Sequence, residues 1–222
     1  MCDDCGEHES KVLHLERQVL SKNSQLAEQN RLWFKKHSMR AINMMSSPGS
    51  GKTTLLEKTT QAFCSFGKMA ILVGDLQTEL DAERLRTVGA RALQINTGQG
   101  CHLDAAMIAG HLGKFIAGDE RLLMIENVGN LVCPSAYDLG EQHKVALLSV
   151  TEGEDKPLKY PALFHQADLI VITKMDLVAF VPWSQAKAMD AILKVNPRAK
   201  IIRLSAHSGE GMDEWLQWLK ES

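Results

Sequence analysis

A glycine-rich stretch with the sequence SSPGSGKTTLL, at 46–56, has the residue types and spacing of a phosphate-binding loop. It lies between a short apolar run and a segment with helical periodicity, so the order is strand, loop and helix. Gly49 and Gly51 have no Cβ atom, which lets the backbone curl tightly and direct its N–H groups at an anion. Lys52 can then reach the β and γ phosphates of a nucleotide, and the hydroxyl of Thr53 can bind Mg²⁺.

This loop departs from the strict motif at its first position, where Ser46 stands in place of glycine. A glycine-rich turn that happens to carry a lysine is the alternative, but the flanking strand and helix have the order that a phosphate site requires. The predicted nucleotide contacts in the loop are Ser47, Gly49, Ser50, Gly51, Lys52, Thr53 and Thr54.

Apolar runs alternate with helical patterns after the first forty residues, which predicts a doubly wound, mainly parallel α/β sheet. The predicted strands are 41–45, 69–74, 91–95, 121–126, 145–150, 168–172 and 200–204. The predicted helices are 52–66, 79–87, 103–117, 184–195 and 212–220. A helix at 9–37 precedes them, with Trp33 and Phe34 as its expected anchors to the core. We expect an N-terminal segment and helix at 1–37 and a nucleotide-binding domain at 38–222.

Bulk composition excludes several classes of partner. The 222 residues have a formal net charge of -2, so nothing favours binding to nucleic acid or to anionic lipid. No run approaches the roughly 18 apolar residues of a membrane span, and the acidic amino terminus lacks a secretory apolar region, which predicts a cytoplasmic location. Five cysteines in such a chain favour metal binding or thiolate chemistry over disulfide bonds.

Ligands of a doubly wound sheet bind beyond the carboxyl ends of its strands, so residues that follow each strand are the candidates for chemistry. Asp75 follows the second strand, where its carboxylate would bind Mg²⁺ or orient the attacking water; a helix cap is the alternative. Glu126 ends the fourth strand at the position of a magnesium-associated carboxylate, and the backbone N–H of Gly129 would meet the γ-phosphate. Lys52 and Asp75 are the predicted catalytic residues, and Thr53, Asp75 and Glu126 are the predicted magnesium ligands.

The sequence TKMD, after the sixth strand, approximates the N-K-x-D motif that recognises guanine. Asp176 would accept hydrogen bonds from guanine that adenine cannot supply, and Lys174 would lie over the base. Thr173 replaces the usual asparagine. Ser205 and Ala206, after the seventh strand, match a second loop at the base edge. The order of phosphate loop, guanine motif and base-edge loop predicts GTP as the nucleotide.

Cys101, His102 and Cys133 follow the third and fourth strands, so they meet at the same edge of the sheet. Thiolates and an imidazole there could bind Zn²⁺, Ni²⁺ or Cu⁺. Adjacent Cys and His side chains diverge, so one subunit offers two or three ligands, and water or a second subunit would complete the shell. Sharing across a two-fold axis would couple metal binding to dimerisation. Two small buried cysteines beside a hydrogen-bonded histidine are the alternative, and the spacing alone does not decide.

The amino terminus carries a second candidate, the C-x-x-C pair of Cys2 and Cys5. Two thiolates at this spacing suit one soft metal ion or a redox pair. The redox interpretation requires a preceding strand, and none is predicted, so metal binding is favoured over two free thiols.

Five stretches resemble one known family: SSPGSGKTTLL, NTGQGCHLDA, ENVGNLVCP, SVTEGEDKPLKYP and SAHSGEGMD. They are similar to the HypB family of hydrogenase maturation GTPases, and the similarity extends over 38–222. The resemblance implies a P-loop GTPase fold of the signal-recognition and MinD (SIMIBI) class, with slow GTP hydrolysis. It implies nickel delivery to the large subunit of a nickel–iron hydrogenase, a companion nickel-binding maturation protein, and a homodimer that depends on nucleotide and metal.

The same resemblance implies a Ni²⁺ or Zn²⁺ site at Cys101, His102 and Cys133. Family members with a tight N-terminal nickel site carry C-x-x-C-G-C, whereas Glu7 stands here in place of the third cysteine. Two other functions use the same loop: a small-molecule kinase, which would prefer ATP, and a scaffold GTPase whose cysteines are structural. Base specificity and metal content separate these alternatives from a GTP-dependent metallochaperone.

Overall fold

The computed structural model describes residues 4–63, 68–75, 79–98 and 100–221, apart from the side chains of residues 4–13, 15 and 16. The predicted thiol pair of Cys2 and Cys5 therefore lies outside the described residues.

One parallel sheet organises the part of the chain that the structure describes. Its seven strands have the order β3-β2-β4-β1-β5-β6-β7. Every pairing of neighbouring strands is parallel, so all carboxyl ends lie at one edge. The strands are β1 Arg40–Met45, β2 Lys68–Asp75, β3 Arg91–Asn96, β4 Glu120–Glu126, β5 His143–Ser149, β6 Leu169–Thr173 and β7 Lys200–Arg203. The predicted parallel α/β sheet is confirmed, and each predicted strand end lies within two residues of the observed one.

Helices cover both faces of the sheet. They are α1 Asp4–Lys36, α2 Lys52–Phe63, α3 Leu80–Thr87, α4 Ala105–Phe115, α5 Lys156–Lys159, α6 Pro161–Gln166, α7 Gln185–Val195 and α8 Met212–Glu221, with 3₁₀ helices at Cys133–Ala136 and Met175–Phe180. The sequence did not predict α5 and α6, because each is shorter than the window in which helical periodicity can be recognised. Pro157 and Pro161 lie in their first turns, where a missing N–H costs nothing.

The core has two layers because successive residues of a strand point to opposite faces. Ile71 of β2 packs with Leu55 of α2 and with the fully buried Trp215 of α8. Its neighbour Leu72 packs on the other face, with Phe34 of α1. This alternation buries β2 on both sides, as expected for a parallel sheet covered by helices.

The N-terminal helix α1 has two halves in different surroundings. Its described side chains before Asn23 are exposed, whereas the later residues Asn23, Ala27, Asn30 and Phe34 are buried at spacings of three and four. Phe34 is fully buried and packs edge-on against Trp33, with ring centroids 5.8 Å apart. The second half of α1 is thus part of the same core as the sheet. Among the described residues, no helix is long and apolar enough to cross a membrane.

Candidate functional site

The phosphate-binding loop connects the end of β1 to the start of α2 at the carboxyl edge of the sheet. Gly49 has φ of +73° and Gly51 has φ of +97°, a conformation that side chains with a Cβ rarely adopt. These two turns bring the chain to Lys52, the first residue of α2, so that unpaired helix N–H groups face the loop. The arrangement suits an anion.

Ser46, the departure from the strict motif, holds the lysine of the loop. Its hydroxyl is fully buried and accepts a hydrogen bond of 2.8 Å from Nζ of Lys52 and one of 2.5 Å from Oγ of Ser50. Burial lowers the pKa of Lys52, and the nearby carboxylate of Glu126 opposes this effect. A glycine at this position would leave the buried ammonium without that acceptor.

A cavity of about 490 Å³ opens beside the loop. Lys52, Thr53, Asp75 and Glu126 line it, so the predicted catalytic and magnesium residues share one space. Oε1 of Glu126 accepts a 2.8 Å hydrogen bond from the hydroxyl of Thr53, whereas its buried Oε2 has no partner among the described residues. Burial raises the pKa of Glu126 to about 7, although Lys52 and Thr53 act to lower it.

Two further charged residues line the cavity and were not singled out in the sequence. Arg84, on α3, donates to Oε2 of Glu57 at 2.9 Å and to Oδ1 of Asp81 at 3.3 Å. Asp81 and Arg84 both face the cavity. The polar, charged sequence of α3 indicates an exposed face, but it does not show that this face lines the cavity. The preceding Asp75 was the only residue in this region that the sequence pointed to.

Gly129 lies directly against the phosphate-binding loop. A Cβ atom at this position would stand 2.9 Å from Cα of Pro48, closer than real Cβ contacts allow. Gly129 also lines the cavity. A side chain there would displace the loop backbone. On the other side of the loop, the hydroxyl of Ser47 donates a hydrogen bond to the carboxylate of Glu152.

A second, smaller cavity of about 200 Å³ adjoins the first, and three of the predicted base-binding residues line it. Asp176 and Ala206 line it, and Oδ1 of Asp176 accepts a 2.5 Å hydrogen bond from the hydroxyl of Ser205. Lys174, with φ of +61°, extends across the loop and donates to the carbonyl of Gly49 at 2.7 Å. His207 also lines this cavity and was not predicted.

Thr173 is buried and connects the base-binding segment to the phosphate-binding loop. Its hydroxyl donates to the carbonyl of Ser50 at 2.7 Å. A threonine in place of asparagine therefore still supplies a donor to the loop backbone. The two halves of the candidate nucleotide site are joined by this bond and by the one from Lys174.

The three candidate metal ligands converge at the same edge of the sheet. Cys101, His102 and Cys133 are half-buried, and their ligand atoms all lie within 4.8 Å of one another. Sγ of Cys101 is 3.7 Å from Nδ1 of His102, so these adjacent side chains do not diverge as the sequence suggested. In a tetrahedral zinc site, ligand atoms are separated by about 3.5 to 4 Å. Small shifts would therefore suffice to bind one ion.

The chemistry of these side chains suits a soft cation. Hydrogen bonding to Cys133 and burial raise the pKa of the Cys101 thiol. A metal ion would reverse this, because its charge stabilises a thiolate. Burial lowers the pKa of His102, which keeps the imidazole neutral as a metal ligand must be. The ring of His102 stacks on that of Tyr137, with centroids 3.7 Å apart.

A direct loop contact joins the phosphate cavity to this cluster. Asn127 lines the cavity, and its Oδ1 accepts a 3.1 Å hydrogen bond from the backbone N–H of Leu103, the residue after His102. The side chain of Leu103 lies against Gly74, where a Cβ atom would stand 2.7 Å from its Cγ. The segment that carries two of the candidate metal ligands thus contacts the ends of β2 and β4, both of which line the phosphate cavity.

Comparison with known proteins gives consistent matches along the chain. The CobW/HypB/UreG nucleotide-binding domain matches residues 40–203. The hydrogenase maturation factor HypB of Azotobacter chroococcum mcd 1 is 50% identical over 215 residues, which cover 97% of this chain and 70% of that protein. The crystal structure of HypB from Archaeoglobus fulgidus has a TM-score of 0.85 and 43% identity, covering 90% of this chain and 98% of that one.

A second solved structure, HypB from Helicobacter pylori in complex with nickel, has a TM-score of 0.85 and 41% identity, covering 90% of this chain and 94% of that one. The signal recognition particle 54 kDa protein from Aeropyrum pernix K1 is similar in fold alone, with a TM-score of 0.56, 16% identity, and coverage of 76% of this chain and 42% of that one. The fold is therefore that of the solved HypB structures, which this signal recognition protein shares, and the predicted P-loop fold of the SIMIBI class is confirmed. Sequence and structure together place the chain in the HypB family of hydrogenase maturation factors.

Proposed function

We propose that the protein is a GTP-hydrolysing metallochaperone that binds nickel or zinc and assists nickel insertion into nickel–iron hydrogenase. The observation that carries the proposal is the contact between its two candidate sites. Asn127 lines the phosphate cavity and accepts a hydrogen bond from Leu103, which follows the metal-ligand pair Cys101 and His102. A nucleotide-dependent shift of one loop would act on the other.

The phosphate cavity would bind GTP in one orientation. Lys52 and the loop amides would stabilise charge on the β and γ phosphates, and Gly129 would meet the γ-phosphate through its backbone N–H. Asp176 would accept from guanine, with Lys174 over the base. The remaining proposed contacts are Ser47, Gly49, Ser50, Gly51, Thr53, Thr54, Ser205 and Ala206.

The residues at the cavity fit a magnesium ion. Oε2 of Glu126 is a buried oxygen without a partner among the described residues, and the hydroxyl of Thr53 lies beside the same carboxylate. Hard oxygen ligands of this kind suit Mg²⁺. We propose Thr53, Asp75 and Glu126 as its ligands, directly or through water. The ion, when bound, would neutralise charge between the β and γ phosphates.

Hydrolysis by this arrangement would be slow. Asp75 would orient the attacking water, and it is the proposed catalytic partner of Lys52. Arg84 is the arginine that lines the cavity in the described part of the chain, and Glu57 and Asp81 already hold its guanidinium. An arginine that is not free to meet the γ-phosphate supplies little of the rate enhancement that such residues give.

Nickel or zinc would bind at Cys101, His102 and Cys133. Three ligands leave one coordination position, which water or a second subunit would fill, and in the second case metal binding would favour a homodimer. The nickel complex of HypB from Helicobacter pylori supports nickel as a ligand in the family. Cys2 and Cys5 remain a second predicted metal site, and a cytoplasmic location also stays a prediction.

The proposed switch follows from linkage between the two sites. GTP would order the loops at Asp75 and Gly129, and those loops adjoin the metal ligands. If nucleotide changes metal affinity, metal must change nucleotide affinity by the same free energy. Release of nickel towards the hydrogenase large subunit, with a companion nickel-binding protein as its source or carrier, would then follow GTP hydrolysis.

Equilibrium titration of Ni²⁺ against protein loaded with GDP, and with a non-hydrolysable GTP analogue, tests this proposal. We expect the two nucleotide states to differ in nickel affinity, and the difference to disappear when Cys101 and Cys133 are replaced by alanine. Equal nickel affinity in both states would exclude the switch. Unchanged metal content in the double variant would exclude the metal site.

A further inference from the structure

Two asparagines on α1 are buried, although their helix needs no side-chain amide for its own hydrogen bonds. Asn23 is 7% exposed and Asn30 is 2% exposed. A buried amide that lacks partners is costly, so each must find donors and acceptors outside the helix. Both find them in the same two segments of the domain.

Asn23 bridges these segments. Its Oδ1 accepts a 2.8 Å hydrogen bond from the backbone N–H of Ala105, and its Nδ2 donates to the carbonyl of Asp138 at 2.8 Å. Asn30 repeats the arrangement, because its Nδ2 donates to the carbonyl of Ala105 at 2.9 Å and to that of Leu139 at 3.0 Å. The two amides therefore tie the start of α4 to the segment that follows the 3₁₀ helix at Cys133–Ala136.

These are the segments that carry the metal ligands. Ala105 comes shortly after Cys101 and His102, and Asp138 comes shortly after Cys133. The stacked rings of His102 and Tyr137 make a second contact between the same two segments, nearer to the ligands. The separation between the Cys101–His102 pair and Cys133 is thus fixed on one side by ring stacking and on the other by α1.

The packing between α1 and the second segment is close. A Cβ atom at Gly140 would stand 2.4 Å from the carbonyl oxygen of Ala27 and 2.7 Å from Cβ of Asn30. Arg31 adds two hydrogen bonds to the carboxylate of Asp138, at 2.9 and 3.1 Å. A displacement of the helix would therefore move the segment after Cys133 with it.

We propose that Asn23 and Asn30 are positioning residues for the metal cluster, so that the N-terminal helix sets its affinity for metal. The inference rests on the proposed function, because it assumes that Cys101, His102 and Cys133 bind an ion. Metal–ligand distances tolerate only about 0.2 Å of variation, so a small change in the separation of the two segments is sufficient. Groups that orient metal ligands without touching the ion typically change metal affinity by about 10- to 100-fold.

The test uses the full chain with Cys2→Ser and Cys5→Ser, so that only the cluster binds metal. Cobalt absorption reports thiolate coordination, and competition with a chromophoric chelator gives zinc and nickel affinity. The double variant Asn23→Ala with Asn30→Ala should bind metal about 10- to 100-fold more weakly, with an altered cobalt spectrum. GDP affinity should stay within about twofold of the parent protein.

Gln25→Ala is the matched control, because Gln25 is an exposed amide on the same helix, and it should leave metal affinity unchanged. If the double variant does not fold, Arg31→Ala removes the partly exposed ion pairs with Asp138 and, on the same helix, with Glu28, and should weaken metal binding about two- to fivefold. Unchanged metal affinity in the asparagine variant would overturn the proposal. If that variant does not fold, unchanged metal affinity in Arg31→Ala would do the same. Equal losses of metal and GDP affinity would also overturn it. If Cys101→Ala with Cys133→Ala does not lower metal binding, the proposed metal site itself is wrong, whatever the asparagine variants do.

Discussion

The proposed nucleotide cavity and the candidate metal cluster of Cys101, His102 and Cys133 occupy the same edge of the sheet but are built in different ways. Two charged groups of the cavity are nearly fully buried, Lys52 at 7% and Glu126 at 4% exposure, and their hydrogen-bond partners are Ser46 and Thr53, in and next to the phosphate-binding loop. Cys101, His102 and Cys133 are half-buried, and the segments that carry them are held by a helix from the other end of the chain.

Because of this difference, the two sites should respond to different changes in the protein. Burial shifts the pKa of a charged group. The cavity should therefore respond to pH and to a cation that binds its unpartnered carboxylate oxygen. The cluster has no such charge before metal binds, and its affinity depends on the spacing between two loops. The first site should therefore respond to local substitutions and to pH, and the second to distant contacts.

The largest expected effect is that of Lys52→Ala. GTP hydrolysis should fall by about 100- to 1000-fold, because a preorganised cation is lost from the developing charge on the phosphates. Nickel affinity without nucleotide should stay within about twofold, because Lys52 hydrogen-bonds to Ser46 of the loop and not to the segments that carry the candidate metal ligands. Phosphate release and nickel titration measure both, and Lys58→Ala, an exposed lysine on the same helix, is the control. A parallel loss of nickel affinity would show that the two sites are one structural unit.

Glu126→Gln tests the response of the cavity to pH. The pKa of Glu126 is raised to about 7 in the folded protein from its ordinary 4.5, so the unfolded chain loses this proton at lower pH than the folded one does. Its contribution to the free energy of unfolding is favourable below pH 4.5 and is lost as pH rises to about 7. The loss is on the order of 3 kcal/mol.

Urea unfolding of the nucleotide-free protein between pH 4.5 and 8 measures this effect as the difference between wild type and Glu126→Gln. The glutamine variant should lack that part of the pH dependence, and its affinity for Mg²⁺ with GDP should be lower at pH 8. Identical pH profiles for the two proteins would mean that Glu126 titrates normally and that the cavity is wetter than its burial indicates.

Asp176→Ala tests the base-binding part of the nucleotide site. The preference for GTP over ATP should fall by about 100-fold, because two hydrogen bonds to a carboxylate are lost and adenine no longer leaves it unpaired. Competition between the two nucleotides for the same protein measures the ratio, with Asp190→Ala, an exposed carboxylate, as the control. A retained preference would favour a different base reader, for which His207 is positioned.

Sequence reasoning predicted the fold and the local geometry of the glycine-rich loop more directly than the convergence of Cys101, His102 and Cys133, for a physical reason. The phosphate-binding loop is contiguous, and its glycines, lysine and threonine act through backbone geometry that local sequence determines. The convergence of Cys101 with His102 depends on a turn and on the stacking of His102 with Tyr137, neither of which a residue pattern encodes. Asn23 looked like one polar residue among many on a helix, because its partners are remote in sequence.

The smallest expected effect is that of Thr173→Val, which tests the link between the two halves of the proposed nucleotide site. Valine has the same shape but lacks the hydroxyl that donates to the carbonyl of Ser50, so the free energy of unfolding should fall by about 1 kcal/mol. GDP and GTP affinities should fall together, by about fivefold, because this bond joins the base-binding segment to the phosphate-binding loop and touches neither base nor γ-phosphate. Thr173→Ser keeps the donor and should behave as wild type. Isothermal titration with both nucleotides decides the matter: a loss confined to GTP would mean that Thr173 senses the γ-phosphate instead of holding the two halves of the site together.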